Sequence, residues 1–280
     1  MWSAPGKQYV QLHGLPDAAP GHYARLMNRR GFLKTSIFCA SAAGAALPFG
    51  AASAATAQSP RPSFPTGSRL VFIGDSITDM KWGRNEKDRN HYLGHSFVFL
   101  IAARLGVEMP EAKLEFFNRG KSGNKVADLK TRWQKDAIAM EPDVLTVLIG
   151  VNDVSQSRGA GVDLVQWEAD YRNLLTRSRK ANPRLRLVLL DPFVLRVGRL
   201  EPEQTWNYWR GLTDQQGAIV ARLAAEFNAA HVRTQEIFDR ATALASAEHW
   251  IWDGVHPLPQ GHELIARNWI ERVSARWGRN

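Results

Sequence analysis

The chain has 280 residues, enough for one large domain or two small ones, and its 44% hydrophobic and 22% charged residues exclude global disorder. No apolar run reads as a permanent membrane span of about 20 residues, and no recurring period points to a repeat, coiled-coil or collagen architecture. The formal charge is +9, but residues 1–57 hold five Lys/Arg against one acid, which leaves +5 for the rest of the chain.

The N-terminal segment accounts for that excess. Met27-Asn28-Arg29-Arg30-Gly31-Phe32-Leu33-Lys34 places an arginine pair ahead of Phe-Leu-Lys, and a mildly apolar, Ala-rich stretch follows from Ser36 to about Ala54. Two small-x-small sites close it, Ala52-Ser53-Ala54 and Ala55-Thr56-Ala57. A basic start, a weak apolar middle and a small-residue end read as an export signal over 1–57. Its paired arginines resemble the twin-arginine type, so the protein is expected to be exported, periplasmic or secreted. A disordered basic tail ahead of an Ala-rich helix is the alternative. A start at Met27 leaves the short basic region usual for such signals. Cys39, the only cysteine, lies inside the segment, so the mature chain is expected to have no disulfide, cysteine-ligated metal or catalytic cysteine. Residues 58–67 read as a Pro/Ser-rich linker, and 68–280 as one domain.

Within that domain short apolar runs alternate with helical patterns. Strands are expected at Leu70–Ile73, Leu114–Phe117, Val144–Ile149 and Leu185–Leu190, with a weak fifth near His231-Val232. Helical steps of three and four run through Val126, Leu129, Trp133, Ala137 and Met140, through Leu164, Trp167, Tyr171 and Leu174, through Ile219, Leu223 and Phe227, and through Ile265, Trp269, Val273 and Trp277. Strands that are apolar throughout, separated by helices, imply a parallel sheet covered on both faces, a three-layer α/β/α sandwich. Ligands of such sheets sit beyond the carboxyl ends of the strands.

Those strand ends are chemically unusual. The first runs into Gly74-Asp75-Ser76-Ile77-Thr78-Asp79, where a serine after a turn-permitting glycine is presented at the sheet edge, though Asp75 or Ser76 could equally be a helix cap. The second runs into Asn118-Arg119-Gly120-Lys121-Ser122-Gly123-Asn124, whose glycines let a backbone N–H approach a ligand or simply form a loop. The third ends in Gly150-Val151-Asn152-Asp153, where Asn152 can aim an amide into the cleft as an oxyanion donor or close an Asx-turn. Asp153 reads as structural. Near the C-terminus, Trp252-Asp253-Gly254-Val255-His256-Pro257 puts an acid and a histidine three apart in a constrained loop, where the carboxylate can orient the imidazole as a base. His262, on the first turn of the last helix, competes for that role.

Together these blocks resemble the SGNH hydrolase superfamily, also called GDSL-type esterases, over essentially all of 68–275. The resemblance implies a flavodoxin-like, mostly parallel five-stranded sheet of order 2-1-3-4-5. It implies a serine esterase with Ser76 as nucleophile, Asp253 and His256 as acid and base, and an oxyanion hole made by the Ser76 and Gly123 amides and the Asn152 side chain. No cofactor is implied. The Gly-x-Ser-x-Gly elbow of α/β-hydrolases is absent. Phe72 to Asp79, Asn118-Arg119-Gly120 with Ser122-Gly123-Asn124, Asp128-Leu129-Lys130 with Arg132-Trp133, and Leu148 to Asp153 are similar to a bacterial subgroup that includes acetylxylan esterases. That implies O-acetyl esters of plant-type polysaccharides or oligosaccharides as substrate. A lysophospholipase or thioesterase with the same triad is the alternative, and a non-catalytic glycan-binding protein on the same fold is the third.

Other signals are weaker. His91 and His95 are four apart, a helical metal-ligand spacing, but no third ligand is apparent, so no metal is expected. Trp133, Trp167, Trp269 and Trp277 fit core stripes. Trp82, Trp206, Trp209, Trp250 and Trp252 fall in expected loops or irregular segments, where they either pack or line a glycan cleft. Lys and Arg are scattered without a recognition motif, so no nucleic-acid partner is expected. The sequence leaves oligomerisation open.

Overall fold

The computed structural model describes residues 61–278 apart from 86, 89 and 158. The expected signal over 1–57, with Met27, the arginine pair and Cys39, lies outside the described residues. Five strands, β1 (Arg69–Gly74), β2 (Glu115–Gly120), β3 (Val144–Leu148), β4 (Arg186–Leu190) and β5 (Ala230–Val232), form one all-parallel sheet in the order β2-β1-β3-β4-β5. The helices between them are α1 (Ser76–Asp79), α2 (Phe97–Glu108), α3 (Val126–Asp136), α4 (Val151–Gln156), α5 (Leu164–Ala181), α6 (Glu203–Glu226), α7 (Thr234–Ala241), α8 (Ala247–Trp250) and α9 (Pro259–Trp277).

Both faces of the sheet are buried, which is why its strands read as continuous apolar runs. Successive residues serve opposite faces. Leu70 and Phe72 of β1, with Val188 and Leu190 of β4, pack under α2, α7 and α9. Val71, Ile73, Leu187 and Leu189 pack under α3, α5 and α6. A tryptophan anchors each layer, and both indole N–H groups are satisfied. Trp269 is fully buried and donates to Thr146 Oγ1 at 3.1 Å, and Trp133 is fully buried and donates to Ser178 Oγ at 2.8 Å. Each large side chain so buried contributes on the order of 1.5–3 kcal/mol.

Several expectations are corrected. The second strand begins one residue later than expected and continues to Gly120, because the ladder with β1 runs on to pair Gly74 with Gly120. Asn118 and Arg119 are therefore strand residues. The α3 stripe does not run to Met140: the helix stops at Asp136, and Ile138–Met140 is a separate 3₁₀ turn. Trp206 and Trp209 lie on the first turns of α6, and Trp250 is buried on α8. The later part of the 58–67 segment packs on the domain: Pro62 bridges to Gly278, Ser63 N–H donates to Trp277 O, and Phe64 is buried.

Candidate active site

The site forms where β1, β2 and β3 end. Gly74 pairs with Gly120 on one side and with Leu148 on the other, so the three loops that follow leave the sheet side by side. Asp75 caps α1, its carboxylate accepting from Ile77 N–H at 2.9 Å, and this makes Ser76 the first residue of the helix. A first-turn N–H has no partner within its own helix, so the Ser76 amide is left available beside its own hydroxyl. Burial pushes the Asp75 carboxyl up to about 7, against the Ile77 amide and His256, which lower it.

The residues after α8 turn back sharply. Ile251 bridges to Pro257, Trp252 N–H donates to His256 O, and Gly254 sits at φ +92° with its Cα facing Leu200, where a Cβ would meet the leucine side chain at 2.6 Å. This loop brings Asp253 and His256 to Ser76. His256 Nδ1 lies 2.9 Å from Asp253 Oδ2, and His256 Nε2 lies 2.8 Å from Ser76 Oγ. With Nδ1–H directed at the carboxylate, Nε2 is the acceptor for the serine hydroxyl. Asp253 Oδ1 accepts the backbone N–H groups of Val255 and His256 at 3.0 and 2.8 Å. Partial burial works to raise the Asp253 carboxyl, but the His256 ring and these two amides outweigh it and hold the group well below the ordinary carboxylate range. The aspartate is therefore a fixed negative charge behind the imidazole.

Gly123 and Asn152 belong to two loops that are stitched together. Lys121 to Asn124 form a turn closed by Asn124 N–H to Lys121 O at 3.1 Å, with Gly123 at φ +83° in its third position. That is a type II turn, in which glycine is favoured because the third residue needs positive φ. The Asn152 side chain, at the start of α4, donates to Asn124 O at 3.1 Å, and one turn later Gln156 donates to Gly123 O at 2.8 Å. Arg132 on α3 spans the gap to β1. Its guanidinium donates to Gly74 O at 3.0 Å, Asn124 Oδ1 at 2.7 Å and Arg119 O at 2.8 Å, and it pairs with Asp136 at 2.9 Å. The five site residues read from the sequence therefore meet at one sheet edge: three in a hydrogen-bonded chain, two on the stitched loops beside it.

Other candidates separate from the site. His262 is buried on α9, with Nδ1 accepting the Phe97 N–H at 3.3 Å, and burial lowers its pKa to about 3. It is not hydrogen-bonded to Ser76. His91 and His95 lie among turns, both exposed, and His91 pairs with Asp88 at 3.0 Å. Among the described residues no group of three His, Cys, Asp or Glu is placed to share a metal ion. Asp153, on α4 one residue after Asn152, is partly buried and accepts the Val126 N–H at 3.4 Å, and burial pushes its carboxyl up to about 7. Of the tryptophans, Trp252 is 69% exposed immediately before Asp253, and Trp209 carries the Arg199 guanidinium 5.2 Å above its ring. Sequence reasoning missed Arg199, Gln156 and the bracing role of Arg132. A lone polar residue carries no periodicity, and its partners are remote in the chain.

Comparison with known proteins shows the family of the chain and relatives of its fold. A sequence profile of the GDSL-like lipase/acylhydrolase family matches residues 72–264. An acetylxylan esterase from Geobacillus stearothermophilus is 33% identical over 223 residues, covering 77% of this chain and 98% of its own. A crystal structure of that esterase superposes with a TM-score of 0.67 at 32% identity, covering 77% of this chain and 98% of that one. One described as a GDSL-like lipase from Parabacteroides merdae superposes with a TM-score of 0.71 at 35% identity, covering 76% of this chain and 99% of that one. Variants of the Geobacillus esterase described as catalytic mutants replace a serine, an aspartate and a histidine, the last two three positions apart.

Proposed function

The chain belongs to the GDSL-like lipase/acylhydrolase family and is a carboxylic ester hydrolase, and on that premise we propose that it is a serine esterase removing O-acetyl groups from plant-type polysaccharides or oligosaccharides such as acetylated xylan. The carrying observation is the chain Ser76 Oγ, His256 Nε2, His256 Nδ1, Asp253 Oδ2, with links of 2.8 and 2.9 Å. His256 takes the Ser76 proton as Oγ bonds to the acetyl carbonyl carbon. The carbonyl oxygen becomes an oxyanion, held by the Ser76 and Gly123 amides and the Asn152 side chain. The bond to the sugar oxygen then breaks, and that oxygen leaves with the proton from His256. Water, deprotonated by the same ring, attacks the acetyl-serine, and its collapse returns the proton to Ser76 Oγ and releases acetate. Asp253 keeps Nδ1 protonated and supports the imidazolium throughout.

Substrate choice rests on two further supports. The curated relative that the chain matches across 77% of its length is an acetylxylan esterase, and Trp252 offers an exposed indole face beside Asp253 on which a sugar ring can stack. The test is acetate release from acetylated xylo-oligosaccharides and other acetylated glycans, run beside p-nitrophenyl esters of increasing chain length and a lysophospholipid. Acetyl glycans should be turned over with the highest kcat/KM. A preference that rises with acyl chain length assigns the same triad to lipid hydrolysis instead, and binding of glycans without turnover assigns a lectin-like role. The arginine pair and Ala-rich segment within 1–57 support export of the folded enzyme to the periplasm or medium, where such polysaccharide fragments are met.

A further inference from the structure

The helix that bears Ser76 is only four residues long, far too short to hold itself in place. Its C-terminal end is gripped by β2. Asn118, buried, donates its side-chain amide to Thr78 O at 2.7 Å and Leu93 O at 2.9 Å, while its Oδ1 accepts the Gly120 N–H at 2.8 Å. Gly120 is in van der Waals reach of the helix backbone, and a Cβ there would stand 2.2 Å from Asp79 N. Asp79, the last residue of the helix, is buried and gathers three donors on one oxygen. Its Oδ2 accepts the Ser122 N–H at 2.9 Å, the Ser122 hydroxyl at 2.8 Å and the Arg84 guanidinium at 2.7 Å. Its Oδ1 is buried without a hydrogen-bond partner. Isolated buried acceptors are uncommon, so the carboxylate is turned toward Ser122 at the expense of its other oxygen.

Ser122 immediately precedes Gly123. The peptide joining them is the central peptide of the type II turn, and its N–H is the Gly123 donor of the oxyanion hole. Asp79 therefore lies on the same short helix as the nucleophile, three residues on, and holds the residue that precedes the oxyanion amide. We propose that Asp79, through Ser122, is a positioning residue that sets the distance and angle between Ser76 Oγ and the Gly123 N–H, with Asn118 and Gly120 docking the helix that both depend on. This rests on the serine-esterase reading above. Arg84, half-exposed, neutralises the carboxylate while its guanidinium stacks 4.3 Å from the Trp82 ring and also donates to Gly120 O.

The experiment compares wild type with Asp79→Asn, Ser122→Ala and Ser76→Ala, each quantified by thermal unfolding and by kinetics on an acetyl ester. Asp79→Asn keeps the side-chain volume and one acceptor oxygen but removes the negative charge that draws both Ser122 donors and the Arg84 guanidinium onto Oδ2. Its kcat should fall about ten- to a hundredfold, the scale of a misplaced reacting group, with KM within about twofold. Ser122→Ala, which removes only the hydroxyl arm and guards against a failure of Asp79→Asn to fold, should lose less than Asp79→Asn but in the same parameter. A boronic acid that forms a tetrahedral adduct on Ser76 should weaken in parallel with kcat, because its boronate oxygen occupies the same hole. A role confined to folding would instead lower the melting temperature and leave boronate affinity and kcat at wild-type values. That result in Asp79→Asn or in Ser122→Ala, with Ser76→Ala inactive, overturns the positioning role alone. Turnover by Ser76→Ala overturns the esterase reading on which it stands.

Discussion

The Arg199 guanidinium lies 3.8 Å from Asp253 Oδ2, the same oxygen that faces His256 Nδ1. The chain between β4 and α6 supplies it: Gly198 packs against the Asp253 backbone at positive φ, which brings the next residue over the acid. A cation here favours the carboxylate but opposes the imidazolium that forms when His256 takes a proton. Asp253 and the buried Asp75 act on the ring in the opposite sense, and a protonated His262 would act in the same sense as Arg199. Arg199→Gln should therefore move the acid limb of the kcat/KM profile to higher pH. The side chain is 47% exposed, so the shift should be a few tenths of a pH unit at low ionic strength and should shrink toward zero as salt rises to about 1 M. A pH–rate profile at two salt concentrations checks it, and a limb that moves to lower pH refutes the electrostatic assignment.

Asn152→Ala and Asp253→Asn should fail in different ways. In the proposed mechanism Asn152 donates to charge that exists only in the transition state, so its loss should lower kcat by roughly 10²–10³ with KM nearly unchanged and no movement of the pH profile. Asp253→Asn removes the charge behind the imidazole. Its plateau should drop and its acid limb should move to lower pH, because a protonated ring is no longer supported. Profiles of both variants decide the matter: a shifted limb in Asn152→Ala with none in Asp253→Asn would reverse the roles.

His262 links the acid stability of the fold to one buried ring. Its pKa falls from 6.5 to about 3 on folding, chiefly through burial, with the charges of His95 and His256 acting in the same direction. Between those values the unfolded chain binds a proton that the folded one does not, so stability is lost as pH falls through that window. The loss is of order a few kcal/mol from a shift of this size. His262→Gln, whose amide oxygen can accept the Phe97 N–H in place of Nδ1, should flatten this limb. Melting temperatures at pH 7 and pH 4 should differ less in the variant than in wild type. Asp75 and Asp153 titrate in the opposite sense but are common to both proteins, so their contribution largely cancels. An unchanged difference between the two pH values would show that His262 is not the titrating group.

Export should depend on the guanidinium pair. Changing Arg29 and Arg30 together to Lys keeps the charge but removes the planar groups that a twin-arginine receptor reads. The variant should accumulate in the cytoplasm as active enzyme, with esterase activity absent from the periplasm and medium. Fractionation assays measure this directly, and wild-type distribution of activity would rule out that route.

Sequence and tertiary structure contribute different parts of this protein. The alternation of apolar runs and helical stripes determines the layered parallel sheet, because a strand buried on both faces must be apolar at every position. Three blocks at strand ends and a fourth near the C-terminus carry Ser76, Gly123, Asn152, Asp253 and His256, and it is the resemblance of the four blocks together to the family, more than any one local signal, that picks these residues out. The tertiary structure alone decides what holds them. Asp79, Asn118, Arg132 and Arg199 act through partners brought near only when strands distant in sequence pair. Polar groups of this kind leave no period to read. The same reason explains the misread elements. Asn118 and Arg119 lie in β2 despite their polarity because the Thr78 and Leu93 carbonyls satisfy the Asn118 amide and β1 extends the ladder. Trp206 and Trp209 belong to α6 because a helix of 24 residues begins well before its buried stripe at Ile219.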